Sequence, residues 1–165
     1  MKILDHIQIT RKLERMSFEI AESNFDIEKL YLIGINNNGY NFTKMLKSYL
    51  KKICKTDIKL LRISLNPKNP VAEEITIDID KKELEAANII VIDDVANTGR
   101  TLFYAMKVLM DVVPEKVETA VLVDRMHKSF PIAINYVGQS FATTIQENIL
   151  VKLDKAGEEA VYLEM

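Results

Sequence analysis

Cysteine occurs once in the 165 residues, as Cys54. A lone thiol excludes an intramolecular disulfide framework and a multi-cysteine zinc site. Its setting in "KKICK", at the end of an amphipathic pattern, reads as a partly buried structural residue. Long hydrophobic runs are missing as well: none approaches the ~18 consecutive apolar residues of a membrane span. The opening "MKILDHIQITRKLERM" carries acids and bases where a secretory signal has an uninterrupted apolar segment. These absences predict a cytoplasmic protein with no membrane partner. Neither sign of charge dominates, with a net charge of −2 and a pI near 5.8. That argues against a broad nucleic-acid surface but leaves room for a local basic patch and for small anionic ligands. Two common nucleotide fingerprints, Gly-x-x-x-x-Gly-Lys and Gly-x-Gly-x-x-Gly, are also absent. With no internal repeat, low-complexity tract or linker, and with 48% hydrophobic and 28% charged residues, residues 1–165 read as one globular domain.

What is present alternates between two periods. Ile9, Leu13, Met16 and Ile20 recur at helical spacing, with Asp5 or Thr10 available as a cap and Asn24 as a stop. "KLYLIGI" (29–35) is a compact apolar strand. After a polar turn, Phe42, Met45, Leu46, Tyr49, Leu50 and Ile53 mark a second helix. "DIKLLRIS" (57–64) is a further strand, the Asn-Pro-Lys-Asn-Pro cluster at 66–70 an exposed loop, and "EITIDI" (74–79) a strand of a loop hairpin. "NIIVI" (88–92), a helix over 100–113 and "VETAVLV" (117–123) follow. Shorter strands at 134–138, 149–153 and 160–164 form an edge or a small hood. Near-continuous apolar strands separated by amphipathic helices predict an α/β fold, a mostly parallel sheet flanked by helices.

"IIVIDDVANTGRT" (89–101) concentrates the chemistry. Ligands of open parallel sheets sit beyond the carboxyl ends of the strands. There, a helix starting near Arg100 offers unpaired N–H groups, Thr98 and Thr101 offer hydroxyls, and Gly99 lets the backbone come close, which suits a phosphate. Asp93 and Asp94 would repel that phosphate, so sugar hydroxyls or a divalent cation are their natural partners. A phosphorylated sugar satisfies both halves. The plainer alternative is that the acids are solvated strand-end residues and that Thr98 caps a helix.

A hydrophobic strand, two acids and a Thr-Gly-x-Thr loop resemble the type I phosphoribosyltransferases, whose substrate is 5-phosphoribosyl 1-pyrophosphate (PRPP). "ILDHIQITRKLERMSFEI", "YLIGINNNGYNFTKML", "AVLVDRMHKSFPIAINYVGQS" and "NILVKLD" are similar, in order and over almost the full chain, to the PyrR family of pyrimidine-operon regulators with uracil phosphoribosyltransferase activity. The resemblance implies a fold with a small hood and a mobile loop hairpin. It implies that Ala96, Asn97, Thr98, Gly99, Arg100 and Thr101 cradle the 5′-phosphate, and that Asp93 and Asp94 hold the ribose hydroxyls. "INNNG", with Asn36, Asn37, Asn38 and Gly39, would be the pyrophosphate loop. Arg62 would begin the mobile loop over the site, and Val123, Asp124 and Arg125 would border the base. Mg2+ would be held mainly through PRPP, with Asp93 and Asp94 as protein ligands.

Departures from the family pattern qualify this reading. Asn36 to Asn38 stand where a basic residue is common, and asparagine cannot supply a full charge, so weaker PRPP binding or slower turnover is expected. Alternatively, the three form only a tight polar turn. RNA is a further partner implied by the resemblance, but Glu14, Phe18 and Ala133 lower the positive charge that RNA affinity requires. His127 either borders the ligand site or, as is commoner for a lone His in a loop, is solvated or structural. Phe103, Tyr104, Met106 and Met110 read as packing residues. Residues 65–74 fit either a lid or, through Pro67 and Pro70, a rigid connector. The expected activity is transfer of the phosphoribosyl group of PRPP to uracil, giving UMP and pyrophosphate, by a homodimer or higher homo-oligomer. Another base, or a nucleotide sensor with weak catalysis, is the alternative.

Overall fold

The computed structural model describes residues 1–142, 144 and 146–164. A short strand β1 (Lys2–Leu4) leads into α1 (His6–Ser23), whose start is set by a reciprocal cap. Asp5 Oδ1 accepts the Gln8 N–H at 2.8 Å, and the Asp5 N–H donates to Gln8 Oε1 at 2.9 Å, satisfying two otherwise unpaired groups. Ile9, Leu13, Met16 and Ile20 form its buried stripe, and Asn24 is its C-cap. Strand β2 (Lys29–Ile35) runs without a connecting loop into α2 (Asn36–Ile53). Strand β3 (Asp57–Ser64) follows, then β4, reduced to Thr76–Ile77 from the longer strand read over 74–79.

Strand β5 (Asn88–Ala96) extends four residues past the apolar run, so both acids lie inside it. The helix read over 100–113 is α-helical only as α3 (Arg100–Ala105), then tightens to a 3₁₀ turn over Met106–Leu109. Pro114 disfavours a helical conformation at Val113, which accounts for the last residue of the range read as helix and not for the earlier change at Met106. Strands β6 (Lys116–Arg125) and β7 (Tyr136–Phe141) complete a six-stranded sheet in the order β4-β3-β2-β5-β6-β7, parallel except at β4. Strands β8 (Asn148–Lys152) and β9 (Ala160–Glu164) join β1 in a separate antiparallel sheet, the hood, in which the residues 2–4 had not been legible as a strand.

Each central strand is buried on both faces, which explains its near-continuous apolar sequence. In β5, Ile90 and Ile92 pack with Phe42, Leu46 and the α1 stripe, whereas Ile89 and Val91 pack with Leu102, Val108 and Val121 on the opposite side. Ile53 is 37% exposed and Met110 75% exposed, so the end of α2 and the turn after the 3₁₀ segment lie outside the core. Among the four residues read as packing on the third helix, Tyr104 and Met106 do pack against it. Cys54 is half-buried, its Sγ donating to the Leu50 carbonyl at 3.2 Å, as expected of a structural thiol.

Phe42 is a fully buried ring on the face shared by α1 and α2. Phe42→Ala should destabilise the fold by about 3–5 kcal/mol, the usual cost of a buried Phe→Ala cavity, read as a lowered midpoint in denaturant unfolding.

Candidate active site

Asn36 has a φ of 53°, a left-handed conformation that asparagine tolerates better than most side chains. This one residue turns the chain from β2 into α2. The segment read as a loop, "INNNG", is thereby the end of a strand and the first turn of a helix. At Gly39 that turn touches β5: a Cβ there would lie 2.9 Å from the Ile92 carbonyl oxygen and 3.1 Å from Asp93 Oδ1. Only glycine allows this approach. The three asparagines fan out to different partners. Asn36 Oδ1 accepts the Leu65 N–H at 3.0 Å, Asn37 Oδ1 accepts from Arg62 Nη1 at 3.2 Å, and Asn38 Nδ2 donates to Asp94 Oδ2 at 3.2 Å. Arg62 lies inside β3, paired in register with Gly34, rather than opening a loop. Its guanidinium stacks on the Tyr40 ring at 4.1 Å, a contact that nothing in the sequence announced.

Asp93 is 8% exposed. Burial, then the neighbouring Asp94 charge, pushes its carboxyl well above the usual range, although its Oδ1 accepts the Asp94 N–H at 2.9 Å. Low-dielectric surroundings and a like charge both disfavour ionisation. Asp94 is half-buried, and its Oδ1 accepts the Val95 N–H at 3.0 Å.

After β5 the chain turns at Gly99, with φ 84°, into α3. Asp93, Ala96, Asn97, Thr98, Arg100 and Thr101 all line a cavity of about 430 Å³. Ala96 itself is a buried strand residue, 2% exposed. The Thr98 carbonyl accepts two N–H groups, from Ser129 at 2.9 Å and Phe130 at 3.1 Å. This stitches the segment after β6 to the loop between β5 and α3. Gly99 belongs to the same junction, since a Cβ there would lie 2.5 Å from Ile132 Cγ2. From the other side, Arg100 Nη2 donates to the Pro67 carbonyl at 2.8 Å, and Pro67 lines the cavity.

A second cavity of about 840 Å³ adjoins the first and shares Asn97, Thr98 and Ser129 with it. Among the residues named for the base, Arg125 lines this cavity and donates to Asn97 Oδ1 at 3.2 Å, and His127 lines it too. Val123 is fully buried in the core. Asp124 is paired with Lys128. Ser129 and Phe130 were not singled out in the sequence, although "HKSFPIA" contains them.

A family model for the phosphoribosyl transferase domain matches residues 1–155, and the chain belongs to that family. Within it the chain is similar to proteins named bifunctional protein PyrR. It is 36% identical over 169 residues to that of Clostridium beijerinckii, covering 98% of this chain and 95% of the relative. It is 31% identical over 175 residues to that of Ligilactobacillus salivarius, covering 98% and 97%. Among solved structures, a hypoxanthine-guanine phosphoribosyltransferase of Bacillus anthracis aligns with a TM-score of 0.78 at 18% identity, over 98% of this chain and 96% of that one. The hypoxanthine phosphoribosyltransferase of Trypanosoma cruzi aligns with a TM-score of 0.77 at 16% identity, over 97% and 94%. At these identities the structural likeness bears on the fold, which is that of the type I phosphoribosyltransferases.

The buried acid has a measurable cost. A carboxyl whose folded pKa is raised binds more protons folded than unfolded, so its contribution to stability falls as pH rises through that interval. Asp93→Asn should therefore raise Tm at pH 7, with the gain shrinking toward zero below the ordinary carboxylate range, as followed by thermal melts from pH 3 to pH 8.

Proposed function

We propose that this protein transfers the 5-phosphoribosyl group of PRPP to a nucleobase, with uracil as the acceptor and UMP and pyrophosphate as products. The observation that carries the reading is the pair of adjoining cavities. One is lined by an acid and a Thr-Gly-Arg-Thr loop, the other by Arg125 and His127, and Asn97, Thr98 and Ser129 form the shared wall. A phosphorylated sugar in the first would present its anomeric carbon to a flat heterocycle in the second.

In this reading the backbone N–H groups and hydroxyls of Thr98 to Thr101 take the 5′-phosphate. With α3 only six residues long, its dipole is small, and the donors of the loop carry the recognition. Asp93 and Asp94 accept from the ribose hydroxyls. A ring nitrogen of the base forms a bond to the anomeric carbon as the bond to pyrophosphate breaks; the bonding pair leaves with the pyrophosphate, and the proton of the attacking N–H is released to the pyrophosphate or to water. Positive charge that develops on the ribose is offset by the two acids, which are fixed before reaction. Arg62, held on Tyr40 and hydrogen-bonded to Asn37, brings a cation to the pyrophosphate turn.

The donor set suits Mg2+: two carboxylates and no imidazole or thiolate, with the remaining ligands left to phosphate oxygens and water. Among the described residues no cluster of three metal-ligating side chains occurs. When bound, Mg2+ would lower the charge of the leaving group. PRPP and a nucleobase or nucleoside monophosphate are the partners in this reading. Uracil as the acceptor and a cytoplasmic homodimer are parts of the same proposal and rest on the likeness of the motifs to the PyrR family.

A second reading rests on the uncharged turn Asn36-Asn37-Asn38: a sensor that binds PRPP or a nucleotide with little turnover, with RNA as a further partner. Labelled PRPP with Mg2+, offered separately with uracil and purine bases, tests both. Uracil-dependent release of pyrophosphate, abolished in Asp94→Asn, is the expected outcome. Release only with a purine would replace the acceptor, binding without release would favour the sensor, and neither binding nor release would overturn the reading.

A further inference from the structure

We infer that Asn38 is a positioning residue for Asp94, aligning that carboxylate toward the ribose hydroxyls instead of binding pyrophosphate itself; the inference rests on the phosphoribosyl reading above. A carboxylate can only accept, so the atom facing Asp94 Oδ2 at 3.2 Å has to be the amide nitrogen of Asn38. Asp94 Oδ1 is held at the same time by the Val95 N–H at 3.0 Å. One donor on each oxygen fixes the plane of the carboxylate and leaves each oxygen a second lone pair for a ligand.

The geometry behind this contact is built in. Successive side chains on a helical turn diverge by about 100°, so Asn36, Asn37 and Asn38 cannot all face one ligand. Asn36 is directed to Leu65, Asn37 to Arg62 and Asn38 to β5. Gly39 brings the turn close enough for the last contact. A neutral donor also leaves the negative charge of Asp94 undiminished, whereas a cation at this place would offset it. The chain thus keeps the full charge of the acid at the sugar and leaves the pyrophosphate side to Arg62.

The test compares ribose 5-phosphate with 2-deoxyribose 5-phosphate by calorimetry, probes that contain neither base nor pyrophosphate. The wild-type protein is expected to prefer the ribose form by about tenfold, the worth of a hydrogen bond to a charged group. Asn38→Ala should bring that ratio close to one while leaving the affinity for inorganic pyrophosphate with Mg2+ unchanged. Asn38→Asp, which sets a like charge against Asp94, should abolish the preference as well. Asn38 is exposed on a helix surface, so both variants should fold, as circular dichroism would verify. A preserved ribose preference in Asn38→Ala, with weakened pyrophosphate binding, would overturn the inference and make Asn38 a pyrophosphate ligand. If the wild-type protein binds neither sugar phosphate, the phosphoribosyl reading fails and takes the inference with it.

Discussion

The first turn of α2 meets β5 with no side chain between them at Gly39, and the arrangement of the site depends on that approach. A methyl group there would press on the Ile92 carbonyl and on the Asp93 carboxyl together. Moving the helix outward to relieve it would withdraw Asn38 from Asp94 and Asn37 from Arg62 in the same motion. Protein interiors are packed too tightly to absorb such a shift locally. The left-handed Asn36 contributes from the other end, because a longer connection out of β2 would not deliver the turn in this register.

Charge is distributed unevenly around that contact. The acid side is buried and carries a stability cost, since Asp93 is removed from water beside another carboxylate. The opposite side is neutral along three consecutive asparagines, and its positive charge arrives from a neighbouring strand through Arg62. Strain of this kind persists in a fold when the surroundings over-determine it. Here β2 pairs with β5 up to Ile92, and β6 continues alongside it from Asp93↔Val121 to Ala96↔Asp124, so the strand that carries the acids is held by main-chain pairing through their position.

How much of this was legible follows from what each element depends on. The strand 29–35 could be read to its end because burial on both faces makes nearly the whole run apolar, and 57–64 because its apolar residues at Ile58, Leu61 and Ile63 are buried between polar ones. The strand beginning at Asn88 could not, since hydrophobicity stops at Ile92 while the ladder continues through Asp93↔Val121 to Ala96↔Asp124. Main-chain pairing does not depend on side-chain polarity. β1 escaped notice for a related reason: three residues carry no period, and their partner lies at the far end of the chain. In the site, "DDVANTGRT" announced itself through residue types at short spacing. The contacts of Tyr40 with Arg62, Arg100 with Pro67 and Thr98 with Ser129 join segments distant in sequence, and only the fold brings them together.

The doubly accepting Thr98 carbonyl ties the floor of one cavity to the wall of the other. Such a shared hinge makes the two compartments reciprocal. If filling the first steadies the loop, the segment from Ser129 onward is steadied with it, and a second occupant then has less disorder to remove. Linkage requires the converse to hold by the same factor. A single backbone oxygen, beside the wall the two cavities share, thus gives two ligands a means of cooperating.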